Sequence, residues 1–421
     1  MTSNQQPRNS LLFIVPNGPA APHSLVFVFL NLVYYVPLLG VALFSYSEGG
    51  TSAAAALDFD VMKKITYIYL LGTLAFLCGS RLSPFIGLAN TRLISHKVLR
   101  SFRLTKRFML LCGVMVGLFV VSKLLLRGIG VYSEYAFDTG RMTGGVWSFS
   151  MFCSESLLLL SIVVLFSTTR RNVLWFMILT AINGINLLHG TRVFFVIAGI
   201  AFCFYLYVRR QLTFKIAMAA FGGALLVGYL VFLSRSQLDV GDRTWSLTRL
   251  ISPLMFEGIF SQLSLVGAVR HPEIWMWSGS PHHFFLDAVY FAVPRVFLVE
   301  KDQLLFMDRF GDLSPLGAFS GYAQGLIYFG VLFPLFYFVL GITAGWLQRH
   351  ARRSELWSVI YVYFVCDFLF RVMRDGYVVP IKMLFNAVAI LLCICSLGQV
   401  RSRFAVPVSA SRRLGSSAQI G

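Results

Sequence analysis

The stretch from Val173 to Val208, VLWFMILTAINGINLLHGTRVFFVIAGIAFCFYLYV, decides the fold class. It is hydrophobic almost throughout, yet its middle reads Leu188-His189-Gly190-Thr191-Arg192. A bilayer core takes roughly 20 apolar residues to cross as a helix. A run of this length with a polar, glycine-containing centre therefore predicts two short membrane helices joined by a tight turn. Arginine at membrane depth costs about 2.5–3.5 kcal/mol on insertion scales, so it is kept facing a bundle interior or a wet cavity. Arg192 is expected just inside one face of the membrane, where an anionic ligand would account for it.

The rest of the chain has the same character. Of 421 residues, 57% are hydrophobic and 13% charged, with a mean hydropathy of +0.73. Soluble domains carry about 25% charge, so a soluble globular class is excluded. Thirty-six Lys and Arg against 18 Asp and Glu give a formal charge of +18. Such a balance can signal nucleic acid, but here the cations sit in short loops between apolar segments. That is the signature of positive-inside topology, and no nucleic-acid partner is expected. The seven cysteines form no CxxC spacing, so neither a zinc site nor a disulfide framework is indicated.

Apolar stretches near span length, with shorter ones accepted in hairpins, predict about ten helices. They are Leu25 to Tyr46, Ile65 to Gly79, Phe108 to Leu126, Phe149 to Phe166, Val173 to Leu188, Val193 to Val208, Ile216 to Leu233, Tyr322 to Trp346, Leu356 to Phe370 and Val378 to Leu397. The first is too long for a signal-peptide core and is expected to stay uncleaved. Loops rich in Lys and Arg, around Arg92 to Arg107, Arg170–Arg171, Arg209–Lys215, Arg349–Arg353 and the tail, alternate with loops of mixed sign. The basic set is assigned to the cytoplasm, which places both termini there as well. Residues 47–64, 127–148, 189–192, 234–321 and 371–377 then face outward.

The expected class is all-α: a polytopic membrane protein of about ten transmembrane helices, with one large periplasmic loop holding short interfacial helices. Its parts are a cytoplasmic segment 1–24, a membrane domain 25–233, the large loop 234–321, a second membrane domain 322–398 and a cytoplasmic tail 399–421. Within the large loop, Leu250–Val269 and Phe284–Val299 are semi-apolar but interrupted by Pro253, Glu257, Asp287, Pro294 and Arg295. Interfacial or re-entrant helices fit these better than full spans.

Three groups of polar residues converge on the outward side. Asn183, Asn186, His189 and Arg192 recur every third residue and fall along one side of a helix. The two asparagines read as a polar seam between helices, His189 and Arg192 as ligand contacts. Asp367, Arg371, Arg374 and Asp375 close the ninth helix; Asp367 and Arg371, four apart, can pair, and Arg371 with Arg374 one turn on make a clamp for phosphate oxygens. The outer loops add Arg141, Arg235, Arg243 and Arg249 as substrate contacts. Glu257, a carboxylate inside an apolar stretch, and His282 or His283 are candidate general bases. Trp245, Trp275, Trp277 and Tyr290 can stack on sugar rings or anchor at the interface.

There is no Walker A loop, no GxGxxG, no HExxH and no GxSxG. Asp58-Phe59-Asp60 is a lone DxD in the first outer loop, a weak metal-site motif.

With these features the chain resembles the bacterial oligosaccharide repeat-unit polymerases, the Wzy-type O-antigen and exopolysaccharide polymerases. The resemblance rests on the late outer loop, the Gly190-Thr191-Arg192 turn, the segment from Ser314 to Gly330 entering a span, and the arginine-bearing helix end at 371–374. That family often has Glu where this chain has Gln324. The resemblance implies a C-type glycosyltransferase-like fold and a polyprenyl-diphosphate-linked oligosaccharide substrate. It implies no nucleotide-sugar; since arginine can replace a metal as stabiliser of a leaving diphosphate, no obligatory metal and no cofactor are expected. It leaves room for a chain-length regulator as partner. On this reading Arg192, Arg371, Arg374, Glu257 and His283 are catalytic. Arg141, Arg235, Arg243, Arg249 and His189 bind substrate. The alternatives are a ligase passing finished glycan to another acceptor, a metal-dependent transferase using Asp58 and Asp60, and a lipid-linked glycan transporter.

Overall fold

The computed structural model of the chain describes residues 21–47, 58–83, 106–125, 145–166, 171–188, 193–209, 211–213, 215, 222–223, 261–273, 281–293, 305–313, 319–351 and 355–404. Every described element is helical, and there is no strand among the described residues. In chain order the helices are α1 (Pro22–Ser47), α2 (Phe59–Leu82), α3 (Lys106–Leu125), α4 (Gly145–Leu165), α5 (Asn172–Asn183), α6 (Ile185–Leu188) and α7 (Val193–Val208). Residues 261–270 form α8. Then follow α9 (Pro281–Ala292), α10 (Gly321–Phe329), α11 (Phe333–Ala351), α12 (Glu355–Tyr363), α13 (Leu369–Asp375) and α14 (Val378–Phe404).

Nine of the ten predicted stretches coincide with helix; Ile216 to Leu233 lies almost wholly outside the described residues. Among the described residues, four stretches are long and apolar enough to cross a membrane: Pro22–Gly40, Phe59–Leu82, Phe108–Leu125 and Gly321–Ala351. Phe149–Leu165, Asn172–Leu187, Val193–Val208 and Val378–Leu392 are apolar but shorter. The expectation of about ten spans thus holds only as four full-length apolar helices and four short ones. Their outward faces carry Phe29, Leu32 and Val36 on α1, Leu70, Leu71 and Leu74 on α2, and Leu110, Leu124 and Leu125 on α3, all exposed. Such bands suit hydrocarbon rather than water.

The tightest pairing joins α2 to α11, and small residues make it possible. A Cβ on Gly79 would stand 2.0 Å from the Phe338 carbonyl oxygen, and one on Gly341 2.1 Å from that of Phe76. Gly345 faces Ser83 in the same way. Where lipid supplies no hydrophobic drive, close backbone approach through small residues is a main source of helix association. Phe27 of α1 stacks on Phe76 at 3.9 Å beside this seam. Polar links tie the pair to the rest of the bundle. His23 bridges Ser80 at 2.6 Å and Tyr361 at 3.0 Å. The Tyr322 hydroxyl donates to Asn31 at 2.6 Å.

Helix α2 starts at Asp58, whose carboxylate accepts the Val61 N–H at 2.7 Å. This is an N-cap, which satisfies one of the orphan donors of the first turn. Helix α10 is capped in the same way by Ser320 through Ala323 N–H. It ends at Gly330, whose φ of +55 glycine tolerates freely. A single tight turn, Gly330–Leu332, then leads into α11.

The large late loop is not confined to the periphery. In α8, Ser261, Gln262, Ser264, Leu265 and Ala268 are buried. Gln262 accepts from the Tyr69 hydroxyl at 2.8 Å and donates to the Met373 carbonyl at 3.3 Å. Ser264 accepts the Ser320 N–H at 3.0 Å. The helix therefore sits between α2, α10 and α13. Helix α9 exposes Phe285, Leu286 and Val289 while burying Phe284 and Asp287, the two-faced pattern of an interfacial helix.

Candidate functional site: a buried arginine cluster

Helix α12 passes into α13 through a π-helical turn, Phe364–Phe368. Such single wide turns inside α-helices are frequent at functional sites. This one carries Asp367, and Arg371 follows one turn later. The Arg371 Nε donates to Asp367 Oδ1 at 2.8 Å. Its Nη2 donates to Glu155 Oε1 on α4, and its Nη1 stands 3.7 Å from Asp375 Oδ2. The Arg371 side chain is 3% exposed, Glu155 4% and Asp367 0%. Arg374 is 27% exposed and pairs with Asp375 at 3.1 Å. The Phe194 ring, on the first turn of α7, lies 5.7 Å from the Arg371 guanidinium, within cation–π range.

Each partner is supplied for a local reason. Glu155 lies in Ser154-Glu155-Ser156, the polar centre of an otherwise apolar helix. Ser154 anchors that centre to the neighbouring hairpin. Asn186 donates to its hydroxyl at 3.1 Å, and Asn183 to its carbonyl at 3.2 Å. Asn186 also donates to Asn183 Oδ1 at 2.6 Å. The two asparagines are thus a seam gluing α4 to α5 and α6, as their spacing suggested. On the other side, Gly376 leaves α13 at φ +76, and the next N–H, of Tyr377, is accepted by Gln324 Oε1 at 2.6 Å. Gln324 is thus a neutral clasp on the turn after the arginine helix.

A second cluster surrounds His283. Its ring stacks on Phe306, centroids 4.1 Å apart and within 3° of parallel, and His282 stands 4.1 Å away. One turn on, Asp287 accepts the N–H groups of Phe306 and Met307 at 2.8 and 3.2 Å, and the Tyr328 hydroxyl at 2.5 Å. Asp287 therefore fastens the 306–313 turn to α9 and α10. Partial burial lowers the His283 pKa below its usual 6.5, with the neighbouring His282 and Arg309 adding to the effect and Asp287 opposing it. The imidazole is neutral near neutral pH, the form that accepts a proton. Phe284 packs 6.2 Å from Tyr377, so α9 adjoins the chain just beyond Arg374 and Asp375.

Of the sequence-predicted site residues, the structure places Arg371 and Arg374 on one helix end, with the helix of His283 beside it. Arg141, His189, Arg192, Arg235, Arg243, Arg249 and Glu257 lie outside the described residues. The start of α7, two residues beyond Arg192, packs on Arg371 through Phe194. Glu155 escaped the sequence reading. The one available signal was a lone carboxylate in an apolar helix, which needs a buried partner. Asp58 of the DxD is the cap of α2, and no group of three or more His, Cys, Asp or Glu is arranged to hold a metal ion among the described residues.

Fold and site together define a helical protein with membrane-span helices built around a buried, carboxylate-bound arginine. Comparison with protein-family models, with curated proteins and with solved structures finds no match for the chain.

Proposed function

We propose that this protein is a metal-independent glycosyltransferase of the bacterial inner membrane, with both termini in the cytoplasm. It moves a growing glycan from its polyprenyl-diphosphate carrier onto an incoming lipid-linked repeat unit at the periplasmic face. The observation that carries this reading is the arginine-bearing helix end. Arg371 is held by Glu155 and Asp367, and Arg374 is part-exposed one turn away. The first turn of α7, which follows Gly190-Thr191-Arg192 in the chain, packs on Arg371 through Phe194.

The chemistry follows from the needs of the transfer. An acceptor hydroxyl oxygen attacks the anomeric carbon, the bond from that carbon to the diphosphate oxygen breaks, and the hydroxyl proton goes to a base. Charge grows on the leaving diphosphate, and preorganised guanidinium groups stabilise it. Arg374 is the described group with solvent access for that contact; Arg371, saturated by carboxylates, fixes the helix that presents it. His283 in its neutral form suits the proton acceptor, with Glu257 as the other candidate.

Replacing Arg374 or Arg192 with Ala is expected to abolish long-chain polysaccharide with protein level unchanged, leaving single repeat units on the carrier. Accumulation of finished polymer on the carrier would instead assign the ligase reaction. Normal chain length in both variants would remove these residues from the mechanism.

A further inference from the structure

Among the described residues, the charges around Arg371 do not balance: Glu155, Asp367 and Asp375 stand against Arg371 and Arg374, three potential anions for two cations. Asp375 and Arg374 pair at the exposed edge, so the imbalance falls on Glu155 and Asp367, which share one guanidinium in the interior. Glu155 Oε2 and Asp367 Oδ2, the oxygens Arg371 leaves unused, are fully buried. The other described titratable neighbours are the buried Tyr363, whose neutral hydroxyl stands against both carboxylates, and Cys366 beside Asp367; neither carries a compensating positive charge. A buried anion without counter-charge costs several kcal/mol. No metal-holding group of acidic residues is formed among the described residues. The cation that fits is the smallest one.

We infer that the Glu155–Asp367–Arg371 cluster is a binding site for one exchangeable proton, held by the carboxylate pair as a unit because two carboxylates share one guanidinium. The bond formed is a single O–H on one carboxylate oxygen, with the proton taken from water and the second carboxylate left ionised against Arg371. This does not depend on the transferase reading.

The test is infrared spectroscopy of the full-length protein in lipid nanodiscs at neutral pH, reading the carbonyl stretch of a protonated carboxylic acid. The wild type should show the band, and it should shift in deuterated buffer. Either Glu155→Gln or Asp367→Asn alone should remove it, because each leaves one carboxylate for one guanidinium. Loss in only one variant would mean that the proton belongs to that residue and not to the pair, and would overturn the inference. Carboxyl labelling of glutamate and aspartate in the wild type decides the matter without any variant having to fold. An acid carbonyl band moved by neither label overturns it as well.

Discussion

Gln324 and Tyr377 are fifty-three residues apart in the chain, and the side-chain carbonyl of the first accepts the backbone N–H of the second at 2.6 Å. The contact closes the turn that ends the arginine-bearing helix. It also explains the neighbouring glycine: a Cβ on Gly376 would come 2.2 Å from the Gln324 amide carbon, in a backbone conformation of φ +76.

Removing this clasp should loosen the helix end. Gln324→Ala leaves the Tyr377 N–H buried and unpaired, at a cost of about 1–3 kcal/mol. Gly376→Ala adds backbone strain of about 1–3 kcal/mol, in a φ/ψ region open essentially to glycine alone, to a collision with the Gln324 amide, and should be the worse of the two. Thermal unfolding of the purified proteins checks the order; equal melting temperatures would contradict it.

The two arginines should separate stability from activity. Arg371→Ala strands two buried carboxylates and should cost about 3–5 kcal/mol, with part regained by adding Glu155→Gln. Arg374→Ala breaks a part-exposed pair, worth at most about 1 kcal/mol, yet should abolish long-chain glycan. Melting temperature and polysaccharide gels read the two effects in the same strains.

His283 should impose an acid limit. Its folded-state pKa lies below 6.5, so the unfolded chain takes up the proton more readily. The folded state then loses relative stability as pH falls through about 6.5, and the loss levels off below the lowered folded value. Replacing His283 with Gln should flatten melting temperature against pH in that window. The same slope in wild type and variant would assign it elsewhere.

The seam between α2 and α11 should tolerate no added bulk. Gly341→Val puts side-chain atoms where the Phe76 carbonyl stands and should prevent folded protein from accumulating. Gly113→Ala on α3, where a Cβ meets nothing within 4 Å, is the control and should be neutral. Detergent-extracted yield by size-exclusion fluorescence distinguishes them.

Much of this architecture was legible in the chain, because hydrophobic length and local spacing carry it. Val193–Val208 was bounded correctly since polar or charged residues flank it on both sides. The Asn183–Asn186 seam and the Asp367–Arg371 pair followed from helical periodicity, which is a local property. Glu155 was not legible as the partner of Arg371, because 216 residues separate them and only packing brings α4 to α13. The saturation of Arg371 by carboxylates was hidden for the same reason. So was the work of Gln324, whose acceptor is used on a backbone group that the sequence pattern does not mark. The depth of α8 was legible only in part: its apolar run was seen, but its buried Gln262 and serines have partners on three other helices.

The glycine seam also bears on biosynthesis. Gly79 and Gly341 touch each other's helices across 262 positions of chain, so the second helix emerges from the ribosome long before its mate exists. Until that late segment is made, the early helix must wait with its small-residue face unoccupied. The locking of this helix pair is therefore a late event, and truncations that stop short of the eleventh helix should yield chains open to quality-control proteolysis.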